Sequence, residues 1–327
     1  MHVSTPLPRY NASIISPLRY PGGKKRLVGY LATLLQLNDR HPRLFVEPFA
    51  GGASVGLQLL NDDLVEQIAL GDKDELVSAF WKTVFFDADW LVKRIEEIEP
   101  TLQLWEYYRT KVPATRRERA FACLFLNRTS FSGILSETAG PIGGRSQQSA
   151  YSIGCRFPKQ RLISRIRQAE LLADRVVLIK SGSWQETTKA VKSLGVAPSD
   201  TLYYFDPPFY AKADRLYRYF FVERQHRQLA KFIATLKADY VLSYDVAKPI
   251  IKLYTDLGMT PTQVELLYST SSREKLLSTK ELFVTNLVSL PIQSRLWMSK
   301  EDEISRTKPN LLPTTVSSLQ DASYLLF

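Results

Sequence analysis

Apolar and polar positions follow two different periods along the first quarter of the chain. Leucines and valines recur with a helical period over residues 27–36. Short apolar runs at 43–47 and 67–72 are typical of buried strands, and between them lie a tight glycine turn and the start of a helix at 55–60. A further helix is predicted to begin near Asp74. This strand–turn–helix–strand order predicts a unit of α/β type.

The middle of the chain, residues 81–169, has a helical period rather than a strand period. Amphipathic stretches at 88–98 and 116–126 predict helices. They precede a polar, glycine-rich centre at 130–154, which we interpret as a long loop or hairpin, and loops of this length are usually functional or disordered. Strand character returns at 176–179. We therefore expect a mainly helical domain to be inserted into the α/β unit.

Strands and helices alternate again in the last third of the chain. An amphipathic helix at 223–236 is predicted between strands at 201–205 and 240–244. Two closing strands are predicted at 265–268 and 282–288. The whole pattern predicts an α/β fold of the Rossmann-like kind, with a sheet covered by helices.

These segments divide the chain into three predicted parts. Residues 15–80 and 170–298 form a discontinuous core domain, and residues 81–169 form the insertion. Residues 299–327 form a C-terminal tail, which is polar and contains two prolines, so we expect it to pack weakly.

Positive charge is concentrated in the insertion. The chain of 327 residues has a net charge of +10. Between Glu106 and Glu170, twelve lysines or arginines stand against four acids, which is a local charge of +8. A local excess that carries most of the net charge favours a polyanionic partner such as nucleic acid.

Cysteine and histidine usage narrows the class of protein. Cys123 and Cys155 have no metal-binding spacing and three histidines are scattered, so neither a zinc site nor a disulfide is predicted. The apolar runs are too short to span a membrane, and the first twenty residues lack the layout of a signal peptide. We expect a cytoplasmic protein without a metal.

The tetrapeptide Asp206-Pro207-Pro208-Phe209 follows a predicted strand directly. Its carboxylate and the Pro207 carbonyl can accept hydrogen bonds from an amine, and an aromatic ring can stack on a base at about 1–3 kcal/mol. This combination suits the exocyclic amine of a nucleobase and suggests methyl transfer to an amino group of DNA. The same residues also form an ordinary turn, because proline fixes φ and aspartate bonds its own backbone.

A second candidate site lies at the glycine turn. Gly51 and Gly52 follow a predicted strand, where they let the backbone turn sharply and a ligand approach closely. The spacing fits neither a dinucleotide fingerprint nor a P-loop. Asp72 ends the next strand, where an acid can bind ribose hydroxyls. A ribose-bearing cofactor such as S-adenosylmethionine fits this pattern, and a plain strand–turn–helix with a capping acid fits it equally well.

Four motifs occur in order along the chain. They are Pro17-x-x-Tyr20-x-Gly22-Gly23-Lys24, Glu47-Pro48-Phe49-Ala50-Gly51-Gly52, Leu126-Asn127-Arg128-Thr129-Ser130-Phe131-Ser132-Gly133 and Asp206-Pro207-Pro208-Phe209. Together with 242–245 and 280–286, the ordered set resembles the Dam-type family of DNA adenine-N(6) methyltransferases over about residues 15 to 288. Two positions depart from that family: Phe209 stands where many members have tyrosine, and Ser183 falls where such enzymes often carry an acid.

The resemblance implies an S-adenosylmethionine-dependent methyltransferase core with an inserted, mainly helical DNA-recognition domain. Double-stranded DNA would be the partner, with a cognate restriction endonuclease as a possible second one. Catalysis on a flipped adenine would fall to Asp206, Pro207, Pro208 and Phe209. The cofactor would be bound by Tyr20, Gly22, Lys24, Glu47, Phe49, Gly51, Asp72 and Asp206. Contacts with DNA would come from Arg116, Arg117, Asn127, Arg128 and Ser130.

Two other classes of function stay open at this point. The same tetrapeptide serves any planar amine, so the chain could methylate cytosine or RNA. It could also be a non-catalytic DNA-binding protein that keeps the fold. Methylation at a cytosine carbon would use a cysteine nucleophile that directly follows a proline. Neither Cys123 nor Cys155 follows a proline, which argues against that reaction.

Overall fold

The computed structural model describes residues 14–19, 24, 27–111, 113–210, 216–269 and 276–291. Within these ranges a seven-stranded sheet and ten α-helices are present. None of the described helices is long and apolar enough to cross a membrane.

The sheet is mostly parallel. Its strands are β1 (Leu44–Glu47), β2 (Gln67–Asp72), β3 (Val176–Ser181), β4 (Thr201–Phe205), β5 (Asp239–Asp245), β6 (Thr262–Ser269) and β7 (Leu276–Thr285). They lie in the order β3-β2-β1-β4-β5-β7-β6, and only β7 runs antiparallel to its two neighbours. The chain runs outward from β1 to β3 and then returns to place β4 on the other side of β1. A crevice is expected at such a reversal, outside the carboxyl ends of β1 and β4.

Ten helices cover the sheet and form the insertion. They are α1 (Val28–Leu37), α2 (Ser54–Asn61), α3 (Glu75–Phe86), α4 (Ala88–Glu97), α5 (Leu102–Thr110), α6 (Arg116–Thr129), α7 (Lys159–Glu170), α8 (Trp184–Lys192), α9 (Glu223–Ala234) and α10 (Lys248–Thr255). The helix predicted to begin near Asp74 is confirmed, because the Asp74 carboxylate accepts the Leu76 N–H and caps α3.

Alternate residues of the central strands enter two separate apolar cores. Phe45 of β1 stacks on Tyr204 of β4 in the first core, with 6.2 Å between ring centroids. Tyr203 and Phe205 of the same strand stack on each other in the second core, 5.6 Å apart. Helices α8, α9 and α10 contribute to the second core. The sheet is therefore buried on both faces, as a parallel sheet requires.

The helices of the insertion extend the first core. Trp81 of α3 and the aromatic rings of Phe121 and Phe125 on α6 belong to the same cluster as the strand side chains on that face of the sheet. The predicted domain boundary after residue 80 falls inside α3, which runs without interruption from Glu75 to Phe86. The described insertion thus packs directly onto the core, and the division into domains stays a prediction.

Candidate active site

Four acids meet at one edge of the sheet. Glu47, Asp72 and Asp245 end the parallel strands β1, β2 and β5, and Asp206 directly follows β4. The carboxyl ends of parallel strands lie at the same edge, so residues far apart in sequence come together there. Three of the four, Glu47, Asp72 and Asp206, line one pocket.

This pocket has an open volume of about 1030 Å³, including its mouth to solvent. Its floor is the glycine turn, and its walls come from the first turn of α8 and from the segment that precedes α9. Residues that line it include Lys24, 47–55, 72–74, 183–185, Tyr204, Asp206, Pro208, 217–221 and Gln225. The pocket thus joins the two candidate sites of the sequence, the glycine turn and the Asp-Pro-Pro-Phe tetrapeptide.

Asp72 fixes the shape of the glycine turn. Its Oδ2 accepts the Gly51 N–H at 2.8 Å, and its Oδ1 accepts the Asp74 N–H at 2.8 Å. Gly51 has a φ of 44°, and its carbonyl accepts the Trp81 indole N–H at 2.8 Å. Burial raises the pKa of Asp72 to about 7, although the two backbone hydrogen bonds act against that rise. The carboxylate therefore holds the turn in a left-handed conformation that suits glycine.

Glu47 places a buried acid beneath the same turn. Its side chain is 3% exposed, and its Oε2 has no hydrogen-bond partner among the described residues. Burial raises the pKa of Glu47 to about 8. Gly56 leaves room for this carboxyl, because an added Cβ there would lie 2.7 Å from Oε2. A buried polar atom without a partner costs free energy, so Glu47 is suited to a donor brought by a ligand.

Asp206 is held by a short chain of hydroxyl groups. Its Oδ1 accepts the Ser243 hydroxyl at 2.9 Å, and Ser243 is in turn 2.9 Å from the Tyr204 hydroxyl. Burial raises the pKa of Asp206, while the Lys24 charge opposes that rise. Its side chain remains 25% exposed towards the pocket. Ser243 was given no role from sequence, because its contact with Asp206 depends on β4 and β5 being neighbours.

Lys24 lies between two carboxylates at the centre of the site. Its Nζ is 3.3 Å from Asp206 and 3.1 Å from Glu281 of β7, and it sits 5.2 Å from the centre of the Phe209 ring. The side chain is only 3% exposed. Burial lowers the pKa of Lys24, but Asp206 and Glu281 outweigh burial and raise it. Lys24 is therefore charged at every physiological pH. Glu281 lies in the segment 280–286 that the sequence singled out, but it was not assigned to the site.

Aromatic side chains surround the remaining space. Phe209 meets the edge of Tyr217 at 5.9 Å, and Phe49 meets Phe221 at 5.7 Å. Pro208 lines the pocket, whereas Pro207 is buried. The tetrapeptide thus presents Asp206 and Pro208 to the pocket.

The wall before α9 is anchored to the start of α3. Arg218 donates to Asp74 at 2.7 Å and to Glu75 at 3.2 Å, and the Tyr219 hydroxyl donates to Glu75 at 3.0 Å. The two acids raise the pKa of Arg218 against the effect of burial. Of the other predicted cofactor residues, Tyr20 and Gly22 lie outside the described residues.

Ser183 begins α8 at the rim of the pocket. Its hydroxyl oxygen accepts the Glu186 N–H at 3.3 Å, and Glu186 Oε2 accepts the Ser183 N–H at 2.7 Å. This reciprocal capping box gives Ser183 a structural role at the start of the helix.

Three residues predicted to contact DNA have buried side chains that bond to other parts of the protein. Asn127 is fully buried and bonds both backbone groups of Arg19, with its Oδ1 2.7 Å from the Arg19 N. The Arg128 guanidinium donates to the Pro17 carbonyl, and the Ser130 hydroxyl accepts the indole N–H of Trp105 at 3.0 Å. In this structure the three side chains position the N-terminal loop and α5. Their role in contacting DNA stays a prediction.

Arg116 and Arg117 are exposed at the start of α6, as predicted for DNA contact. Both are paired with Asp87, whose carboxylate lies 3.0 Å from Arg116 and 2.7 Å from Arg117. The hydrogen bonds from Arg117 and Arg116 lower the pKa of Asp87. One of the two positive charges is thus neutralised within the protein. Their role in binding DNA stays a prediction.

The fold and the site together define a class of protein. The sheet has seven strands in this order, its pocket lies at the crevice between β1 and β4, and an Asp-Pro-Pro-Phe segment lies at the edge of that pocket. These features are those of a Rossmann-like methyltransferase. The family model for D12 class N6 adenine-specific DNA methyltransferases matches residues 20–283, and the chain belongs to that family.

Family membership decides between the functions that the sequence left open. The protein is a DNA methyltransferase that acts on the N6 amine of adenine, and the family implies S-adenosylmethionine as the methyl donor. The predicted fold class and enzyme class are confirmed, and the Dam-type family is close to this one. A comparison with curated proteins found no match to this chain.

Proposed function

We propose that the pocket binds S-adenosylmethionine and that Asp206, Pro207 and Phe209 act on an adenine turned out of duplex DNA. The observation that carries this proposal is the position of Asp206: it lies at the wall of the pocket and is held by Lys24 and Ser243. The chain can therefore bring an amine acceptor next to a cofactor-sized cavity.

The lining of the pocket fits the proposed cofactor. Glu47 offers a buried carboxyl oxygen that lacks a donor, which suits an ammonium group. The left-handed backbone at Gly51 allows close approach, and Phe49 offers an aromatic face. Asp72 is engaged by two backbone N–H groups but also lines the pocket, where it could still accept a ribose hydroxyl. When bound, S-adenosylmethionine supplies an electrophilic methyl group.

The amine of adenine needs activation because its lone pair is delocalised into the ring. Asp206 and the Pro207 carbonyl would each accept one of its two N–H groups, which localises the lone pair on nitrogen. Phe209 would stack on the base. Ser243 and Lys24 keep the Asp206 carboxylate oriented before the base arrives, so positioning and electrostatics supply the catalysis. No covalent bond to the enzyme is required.

Access to the amine requires that the base leave the helix. Turning a base out of the duplex costs about a few kcal/mol, which contacts with the rest of the DNA must offset. The basic insertion is the part of the chain suited to those contacts, and Arg116 and Arg117 are exposed there. A cognate restriction endonuclease and a cytoplasmic location stay predictions.

The test of this proposal is the variant Asp206→Asn. The substitution keeps the shape of the side chain but replaces a charged acceptor with an amide, so the rate of methyl transfer at saturating substrates should fall at least about a hundredfold. Transfer of labelled methyl to mixed-sequence DNA measures the rate, and nucleoside analysis identifies the product.

Asp200→Asn is the matched control, because Asp200 is exposed at the opposite end of β4. It should keep the wild-type rate. A near-wild-type rate for Asp206→Asn would refute the assigned mechanism. A product other than N6-methyladenine would refute the assigned substrate.

A further inference from the structure

Five arginines are near enough to influence one another's charge in a chain of neighbours, around the point where α6 contacts the N-terminal loop: Arg19, Arg128, Arg156, Arg161 and Arg165. This group is called the arginine cluster below. Two contacts build it: the Arg128 guanidinium donates to the Pro17 carbonyl at 2.8 Å, and Asn127 holds the backbone of Arg19 from both sides. These hydrogen bonds fix the Arg128 side chain and the backbone of Arg19.

Packing of α6 against the next turn brings in the rest of the cluster. Phe125 of α6 contacts Phe157 with 5.9 Å between ring centroids, and Phe157 directly follows Arg156. Arg161 and Arg165 are one helical turn apart on α7, so they share a face of that helix. Arg156 and Arg161 are exposed, and Arg165 is partly exposed.

The cluster lacks the acids that balance other cations of the insertion. Arg116 and Arg117 pair with Asp87, Arg167 pairs with Asp89 and Glu170, and Lys159 pairs with Glu99. Among the described residues, no carboxylate lies within 4 Å of a guanidinium nitrogen of the five arginines in the cluster. Arg128, Arg156, Arg161 and Arg165 are thus four cations of the insertion that have no acidic partner among the described residues.

The five charges also repel one another. After burial, the largest influence that lowers the pKa of Arg128 is the charge of Arg165, followed by that of Arg19. Arg161 acts on Arg165 in the same sense, and Arg156 acts on Arg19. Unbalanced like charges destabilise the free protein, and a polyanion relieves that repulsion on binding.

We propose that Arg19, Arg156, Arg161 and Arg165 bind phosphates of the DNA backbone, with Arg128 as the buried support of the loop that carries Arg19. The guanidinium fork matches a phosphate and remains charged at any working pH. Phosphate contacts set the register of a protein on the duplex and carry no sequence information. This inference rests on the proposed function, since it names the surface by which the same enzyme holds its substrate.

The experiment compares full-length Arg161→Gln/Arg165→Gln with wild type. Affinity for two duplexes of unrelated sequence is measured by fluorescence anisotropy at several salt concentrations. The variant should bind both duplexes roughly tenfold more weakly at low salt, and the slope of log affinity against log salt should fall by about 1.8, or 0.9 for each lost phosphate contact. The methylation rate at saturating DNA should be unchanged, because neither arginine lines the pocket.

The matched control is Lys189→Gln/Lys192→Gln, which removes two exposed charges from α8 on the other face of the sheet. It should change affinity less than twofold. Arg161→Lys/Arg165→Lys keeps both charges and should recover most of the lost affinity, which separates loss of charge from misfolding.

Each outcome bears on one claim. Equal weakening by the α8 control would overturn the inference, because total charge and not the cluster would then set affinity. Weakening on one sequence alone would assign the cluster to base reading and overturn it as well. If wild type binds and methylates DNA and Arg161→Gln/Arg165→Gln binds DNA with the same affinity, the inference fails while the proposed function stands. If wild type neither binds nor methylates DNA, the proposed function itself fails.

Discussion

Lys24 sets the electrostatic balance around the proposed catalytic acid. It is shared between Asp206 and Glu281, so the attraction that each carboxylate receives depends on the presence of the other. Asp206 is the stronger hydrogen-bond acceptor when it is ionised, and burial works against ionisation. The activity of the enzyme at low pH should therefore depend on Lys24 and also on Glu281, which shares that lysine with Asp206.

The variants Lys24→Met and Glu281→Gln should shift the pH profile in opposite directions. Loss of Lys24 raises the pKa of Asp206, so the acid limb of the rate profile should move to higher pH by about one to three units. Loss of Glu281 leaves Lys24 to Asp206 alone and lowers that pKa, so the limb should move to lower pH. Single-turnover methyl transfer at saturating cofactor, between pH 5 and 9, measures both.

If the acid limb moved in the same direction in both variants, this account of Lys24, Asp206 and Glu281 would be contradicted. Lys24→Met should also cost about 3–5 kcal/mol of stability, because it leaves buried carboxylates without their cation. Both variants therefore need a check by thermal unfolding at each pH, and Asp200→Asn again serves as the unaffected control.

At the scale of single residues, the sequence predicted those members of the candidate site that lie in contiguous motifs. Glu47, Asp72 and Asp206 each end or follow a strand, and parallel strand ends converge, so their common edge was predictable. Ser243 and Glu281 lie in segments that the sequence singled out, but they were given no role, because their contacts arise only from the pairing of β5 with β4 and β7. The burial of polar residues such as Asn127 could not be predicted either. An asparagine that hydrogen-bonds to backbone groups cannot be told from sequence apart from one that hydrogen-bonds to a base.

Among the elements, the turn at Phe131–Gly133 joins α6 to the N-terminal loop that leads to Lys24. Gly133 has a φ of 75°, and an added Cβ would lie 2.1 Å from the Arg19 carbonyl oxygen. Side chains essentially never approach backbone so closely, and non-glycine residues are strained at this φ. The turn therefore depends on glycine for two independent reasons.

Gly133→Ala should lower the stability of the protein by about 1–3 kcal/mol and displace the loop that carries Arg19. Urea unfolding measures the first effect, and the KM for cofactor and for DNA measures the second. Gly140→Ala is the control in the same loop, because an added Cβ there meets nothing within 4 Å. A smaller loss of stability for Gly133→Ala than for Gly140→Ala would contradict the role given to this contact.

The elements themselves were mostly predictable from sequence. Strands β1, β2, β4 and β5 are short apolar runs because both of their faces are buried. The last strand was placed at 282–288, but β7 extends over Leu276–Thr285. Its first half mixes serine, threonine, lysine and glutamate, so hydrophobic periodicity gave no signal there. Its pairing with β5 and β6 sets its length instead.

Across the described core and insertion, one apolar cluster joins the helices of the insertion to the sheet. It runs from strand residues such as Phe45 through α3 to Phe125 of α6. A shared core makes the two parts unfold together, whereas separate cores would allow local opening. The chain order of the segments suggested an independent insertion, and the structure shows how closely it is packed against the core.

Phe125→Ala should therefore destabilise the sheet as well as the insertion. Removal of a fully buried phenylalanine costs about 3–5 kcal/mol. Hydrogen exchange of backbone amides in β4 should lose protection by a similar free energy as amides in α6. Phe86→Ala, at an exposed phenylalanine of α3, should change neither. Unchanged protection in β4 would show instead that the insertion opens independently.

The buried carboxyl of Glu47 has a consequence for the heat of ligand binding. With a pKa of about 8, Glu47 is mostly protonated at pH 7 in the free enzyme. A ligand that brings a positive charge beside it lowers that pKa, so binding expels a proton to the buffer and affinity rises with pH up to about 8. Calorimetric titration with S-adenosylmethionine should then give different heats in phosphate and in Tris, whose protonation enthalpies differ. Glu47→Gln should abolish that difference, and identical heats for wild type would show that no proton leaves.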